Sequence, residues 1–139
     1  MRILIDTNIL IDFLAQRPEY FQYADKIINA CRLKTIIGFV AAHSITNIFY
    51  ILRKDYSVAE RKKMLKLLLN ILNIVALDKE RILCALDNEN IDDLEDALQA
   101  ECAENYILDY IITRDLEGFP NINIPIISSE EFCKLLKEA

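Results

Sequence analysis

Short apolar runs rich in β-branched residues recur along this chain, and helix-length segments separate them. The runs are RILID at residues 2–6, TIIGFVA at 35–41, IVAL at 74–77, YIIT at 110–113 and IPII at 124–127. Runs that stay apolar instead of alternating suit strands covered on both faces. Strands that alternate with helices need long crossovers, and a parallel sheet accommodates these. Helical patterning is expected over Ile9–Leu14, Pro18–Leu33, Ser44–Arg53, Val58–Leu72, Lys79–Leu86, Asp92–Glu104 and the closing SSEEFCKLLKE. Pro18 falls early in its helix, where a missing N–H does no harm. In the fourth segment Met64, Leu65, Leu68, Ile71 and Leu72 share one face, and Lys62, Lys63 and Lys66 lie opposite. Asp92 with Glu95, and Ser128 with Glu131, have capping-box spacing. With only 2 Gly and 3 Pro in 139 residues, connections are short. One domain spanning 1–139 is expected.

Several classes are disfavoured. A net charge of −6 argues against a protein that coats nucleic acid with a basic face. It leaves room for an enzyme that meets a polyanion through metal ions and a local basic patch. Asp6 interrupts the first apolar run at once, so the start does not read as a signal peptide. Lys66, Asn70 and Asn73 break the stretch from Met64 to Leu77, so no membrane span is expected. Cys31, Cys84, Cys102 and Cys133 are scattered without a CxxC pair, which suits buried free thiols in a reducing cytoplasm. His43, the single histidine, suits a helix start or the surface. Phe49 and Tyr50 suit core or interface.

In a parallel α/β sheet, functional groups gather beyond the carboxyl ends of the strands. Asp6 ends the first strand, Asp115 follows YIIT in the sequence ITRD, and Asp96 falls in the first turns of the helix beginning near Asp92. Asp93 shares roughly the face of Asp96. Two like charges about 4 Å apart repel by roughly 4 kcal/mol at an effective dielectric near 20. Carboxylates brought together must therefore take up protons, splay, or share a cation. Oxygen ligands without His or Cys select Mg²⁺ or Mn²⁺. Each acid also has a structural reading. Asp6 could cap a helix, Asp93 could favour a helix dipole, and Asp115 could start a turn before Gly118.

LIDTNILID near the start, EDALQAECAE with Asp96 and Ala97, and YIITRD ending in Asp115 together resemble PIN-domain proteins, in particular VapC-like bacterial ribonuclease toxins. The resemblance extends over nearly the whole chain. It implies a three-layer α/β/α sandwich around a central, mainly parallel five-stranded sheet, and Mg²⁺- or Mn²⁺-dependent cleavage of RNA. By matching motif, Asp6 and Asp96 would be the main metal ligands, Asp115 would complete the site, and Asn8 and Thr113 would support it through hydrogen bonds. Lys62, Lys63 or Arg114 could guide the RNA backbone, though a solvated surface is the reading these residues favour by themselves. The implied partners are an RNA substrate and an antitoxin that inserts Arg or Lys. The aromatic and leucine content is compatible with a homodimer. One departure stands out. These proteins usually carry a Glu on the third helix, and here HSITNIFYIL places Asn47 at the best-matching position. An amide oxygen can ligate Mg²⁺ but brings no charge, so the change bears on activity more than on fold, and Asp93 could replace the charge.

Two other readings stay open. A degenerate PIN-like protein would bind partners without cleaving, and Asn47 is its support. A phosphatase or phosphoryl receiver would use Asp6 as nucleophile. The first of these enzymes would place a second Asp where Asn8 stands, and a receiver would pair acids near the first strand.

Overall fold

The computed structural model describes residues 1–138, with side chains through Lys137; residue 139 of the expected domain lies outside the described residues. Five strands form one sheet: β1 (Arg2–Ile5), β2 (Ile37–Ala41), β3 (Asn73–Val75), β4 (Tyr110–Ile112) and β5 (Ile126–Ile127). Their order is β3-β2-β1-β4-β5 and every pairing is parallel. The sheet expected to be mainly parallel is wholly so. Among the described residues seven α-helices connect and follow the strands: α1 (Thr7–Leu14), α2 (Phe21–Arg32), α3 (Ala42–Ile51), α4 (Val58–Ile71), α5 (Lys79–Leu86), α6 (Leu94–Asn105) and α7 (Ser129–Glu138).

The strands are apolar throughout because successive side chains enter two cores. Ile3, Ile5, Val40 and Ile112 face one core with Leu10 of α1, Ile27 of α2, Ile48 of α3, Leu68 of α4 and Phe132 of α7. Leu4, Phe39, Val75 and Ile111 face the other with Ala85 of α5 and Ala97 and Ala100 of α6. The result is the three-layer α/β/α sandwich. The α4 stripe expected from the sequence is buried at Leu65 and Leu68, with its lysines exposed.

Element ends differ from expectation for identifiable reasons. α2 starts at Phe21, because residues 17–20 form a turn that closes with Phe21 N donating to Arg17 O at 2.8 Å. β5 is two residues long. Pro125 has no N–H to pair, though its carbonyl still accepts from Ile111 N at 3.0 Å. Ser128 accepts from Glu131 N at 3.1 Å, as its spacing suggested. Cys31, Cys102 and Cys133 are buried, but Cys84 on α5 is exposed. Among the described residues, no helix is long and apolar enough to cross a membrane.

Candidate active site

The strand order decides where a site can form. The chain leaves β1 toward β2 on one side, and leaves β4 toward β5 on the other. The two connections diverge, and a crevice opens between the carboxyl ends of β1 and β4. Asp6 stands at one lip, with its backbone N–H donating to Ile112 O at 3.0 Å. Thr113, Arg114 and Asp115 form the other lip. α6 crosses from the opposite face and brings its first turn to the same opening.

Asp6 is the N-cap of α1 and is 5% exposed. Its Oδ1 accepts from Thr7 N at 2.7 Å and from Gln99 Nε2 at 3.1 Å. Its Oδ2 accepts from Thr113 Oγ1 at 2.7 Å and from Asn8 Nδ2 at 3.4 Å. A carboxylate has roughly four lone-pair sites, so the protein fills the whole set, most weakly at Asn8. Burial raises the Asp6 pKa, with Glu95 and Asp115 adding to the effect, while the bonds from Thr113 and Thr7 oppose it. Thr113 is itself fully buried, and its Oγ1 also accepts from Asp115 N at 3.0 Å and from Asn8 Nδ2 at 3.4 Å. It therefore ties the first acid to the third.

Asp96 reaches the crevice because α6 begins at Leu94. The capping residue is Asp93, whose Oδ1 accepts from Asp96 N at 3.0 Å. This corrects the expected Asp92–Glu95 box. Both pairs satisfy the spacing, and the observed helix start selects Asp93 with Asp96. Glu95 is thereby free to turn inward. Thr7 Oγ1 lies 3.0 Å from Glu95 Oε1 and 2.9 Å from Ser44 Oγ. A carboxylate only accepts, so the one Thr7 proton goes to Glu95 and the Ser44 hydroxyl turns toward Thr7. Gln99 Nε2 donates to Ser44 Oγ at 3.0 Å as well as to Asp6.

Asp6, Asp93, Glu95, Asp96 and Asp115 line one pocket of about 340 Å³, together with Asn8 and Arg17. Burial comes first among the causes that push Asp96 up to about 7, followed by the charges of Asp93, Asp6, Asp115 and Glu95. Gly118 shows how closely the acids approach. A Cβ built there would stand 2.6 Å from Asp115 Oδ2 and 2.8 Å from Asp96 Oδ2. The two oxygens are thus no farther apart than those distances laid end to end, and a side chain at Gly118 would force the carboxylates to shift.

The donor set fits a hard divalent ion, since it offers carboxylate and amide oxygens and no sulfur. Among the described residues, no three His, Cys, Asp or Glu side chains are close enough to grip one bare ion. A ring of acids around an open pocket suits an ion that keeps part of its water shell, as Mg²⁺ does. The weakest bond to Asp6, from Asn8, is the one a cation would displace at least cost.

Asn47 lies on α3 one turn beyond Ser44; it is half-buried and outside the pocket lining, whereas Ile51 one turn further is in it. His43 takes the helix-start place expected of it and is half-buried. It sits in the first turn of α3 with both ring nitrogens enclosed and unpartnered, and burial lowers its pKa against the pull of Glu95. Lys62 and Lys63 are exposed on α4. Motif reading missed Glu95, which lines the pocket, and Gln99, Ser44 and Gly118, which contact or crowd its acids or their partners. Gln99 follows Asp96 by three residues, a spacing that shows a shared helix face but not that the face at Gln99 is buried.

An all-parallel α/β/α sandwich with acids gathered at its β1–β4 crevice defines the class of protein. The PIN-domain model matches residues 2–117, and the chain belongs to the PIN-domain family. No curated protein matches it by sequence. Among solved structures it is similar to VapBC2 from Rickettsia felis bound to a DNA fragment from their promoter, with a TM-score of 0.71 and 15% identity over 92% of this chain and 98% of that one. It is similar to a toxin–antitoxin complex from Klebsiella pneumoniae, with a TM-score of 0.68 and 21% identity over 91% and 97%. It also resembles VapC20 of Mycobacterium tuberculosis, a toxin that cleaves the sarcin-ricin loop, with a TM-score of 0.64 and 9% identity over 78% and 86%. At these identities the likeness is one of fold.

Proposed function

We propose that this chain is a Mg²⁺- or Mn²⁺-dependent endoribonuclease that hydrolyses RNA phosphodiester bonds and serves as the toxin of a toxin–antitoxin pair. The observation that supports it most is the meeting of Asp6, Asp96 and Asp115, from three separate elements, on one pocket with Asp96 pushed up to about 7 by burial and its neighbours' charge. These three acids would hold the ion in part through its water shell, since no three of the described side chains close on a bare ion. When bound, it supplies charge neutralisation at the phosphate and a more acidic attacking water. Thr113 and Gln99 hold the Asp6 carboxylate in place. Asp93 spends one oxygen on the helix cap and sets the position of Asp96. Glu95, braced by Thr7, brings the further negative charge that Asn47 does not. An antitoxin would silence the pocket by presenting Arg or Lys to the acids.

The test is cleavage of single-stranded RNA by the purified chain with Mn²⁺. Asp6→Asn and Asp96→Asn are expected to lower the rate by at least about a hundredfold, since even the hydrogen-bond partners of a metal ligand are worth about 10- to 100-fold. Calorimetry should show Glu95→Gln weakening Mn²⁺ binding about tenfold, with Asn47→Ala within about twofold. Cleavage that persists with both Asp variants and in EDTA overturns the reading. A folded protein that binds no Mn²⁺ would instead favour a partner-binding role.

A further inference from the structure

Asp12, in α1, is a buried charge outside the ring of pocket acids. It is 0% exposed, and its carboxylate faces two guanidinium groups, Arg114 Nε at 3.1 Å and Arg17 Nη1 at 3.6 Å. Among the described residues neither carboxylate oxygen meets a donor in good hydrogen-bond geometry, and burial raises the Asp12 pKa against the pull of Arg114 and Arg17, so its charge depends on these two cations. One carboxylate against two arginines leaves a positive charge in excess, and both arginines reach solvent, Arg17 at 42% and Arg114 at 29% exposure. Arg17 lines the acid pocket. Arg114 lines a groove of about 340 Å³ with Tyr20, Tyr23 and Ser128 and with two acids, Glu19 and Glu130, and its guanidinium lies 4.3 Å from the Tyr20 ring centre. Its backbone N–H donates to Asn8 Oδ1 at 3.4 Å, which links the groove to the pocket lip.

We propose that Arg17 and Arg114, held by the buried Asp12, grip neighbouring phosphates of a single-stranded RNA as it passes from the acid pocket into the Tyr20 groove. The proposal rests on the ribonuclease reading and supplies what that reading lacks, a way for a polyanion to cross a rim of carboxylates. A guanidinium carries five N–H donors in a planar fork, and contact with Asp12 uses only part of that set. The outward donors are left for phosphate, which guanidinium groups bind through paired, charge-assisted bonds. The Tyr20 face holds Arg114 in orientation through a cation–π contact. Asp12 touches no substrate and is a positioning residue. Fixing both arginines beforehand lowers the ordering cost of gripping the RNA.

A purely structural trio, stapling α1 to the exit of β4, would show the same contacts. Salt dependence separates the two roles, because each phosphate contact with a single strand contributes about 0.7 to the slope of log affinity against log salt. The full chain carrying Asp96→Asn, which prevents cleavage, is titrated against a fluorescein-labelled single-stranded oligoribonucleotide of mixed sequence at several KCl concentrations, with anisotropy as the readout. Arg17→Ala and Arg114→Ala are each expected to weaken binding about tenfold at low salt and to reduce the slope by about 0.7. Arg17→Lys should keep the slope. If Arg114→Ala unfolds because Asp12 is left uncompensated, the paired change Asp12→Asn with Arg114→Gln replaces it. Half-exposed Arg17 tests the proposal by itself. A folded Arg17→Ala protein with unchanged affinity and slope overturns it. If the unsubstituted chain fails to cleave RNA while these slopes fall, the ribonuclease reading is lost and the phosphate grip stands. If it cleaves and the slopes do not move, the grip is lost alone.

Discussion

At the residue scale, the site depends on two buried neutral groups that hold Asp6 and tie it to its neighbours, Thr113 to Asp115 and Gln99 to Ser44. Thr113 and Gln99 are both fully enclosed, and both donate to that carboxylate. Thr113→Val removes the hydroxyl at nearly constant volume, and Gln99→Met does much the same for the amide. Each is expected to cost about 10- to 100-fold in cleavage rate or Mn²⁺ affinity. Each should also cost about 1–3 kcal/mol of stability in urea unfolding, because a buried acceptor loses its partner. Equal losses in stability with unchanged Mn²⁺ affinity would reduce both residues to core packing. Thr113 was legible in the sequence through the ITRD motif. Gln99 and Glu95 were not, for different reasons. Gln99 sits among alanines, where its burial is a tertiary fact. Glu95 satisfied the wrong cap, and only the helix start at Leu94 sends it inward.

At the element scale, the apolar runs and helix periods reproduced the alternation, the sheet and the two cores. Ends were less legible, because they depend on single backbone bonds such as Phe21 N to Arg17 O, or on Pro125 withholding a donor. The loop from β4 to β5 carries the least periodic signal, yet it sets how closely two acids approach. Phe119 anchors that loop in the core, and Gly118 leaves space for Asp96 Oδ2 and Asp115 Oδ2. Gly118→Ala would push a methyl group against both oxygens. Since these belong to partly hydrated side chains rather than to backbone, the carboxylates should move and the loop should hold. The expected outcome is Mn²⁺ affinity down by about tenfold or more, as for a displaced ligand partner. Melting temperature should change by no more than about 4 °C, the equivalent of roughly 1 kcal/mol. Calorimetry and thermal unfolding on the same preparation decide it. A large fall in melting temperature at unchanged affinity would assign Gly118 to the backbone turn alone.

At the scale of the whole molecule, the gathered acids should make stability depend on protons and, under the proposed function, on divalent ions. Asp96 is raised from 3.8 to about 7, and Asp6 is raised in the same direction. Between about pH 4 and pH 7 the folded chain therefore holds protons that the unfolded chain has released. Stability falls with rising pH wherever the folded state binds more protons. The metal-free protein should thus keep its full contribution below about pH 4 and lose it as pH rises through 7, the reverse of the usual acid lability of paired carboxylates. Its melting temperature should drop between pH 5 and pH 8. Under the proposed function Mn²⁺ would bind the ionised folded site in preference to the unfolded chain, so at 100 times its Kd it should return about 2.7 kcal/mol, or roughly 10 °C for a chain of this size. Asp96→Asn removes the titrating carboxyl and one expected ligand together. That variant should melt higher than the parent at pH 8 without metal, with a flatter pH profile and a reduced response to Mn²⁺. Thermal unfolding from pH 5 to 8, with and without Mn²⁺, separates the cases. If the metal-free parent is flat across this range and Mn²⁺ does not move it, the acids are not electrostatically coupled and the shared pocket cannot be an ion site.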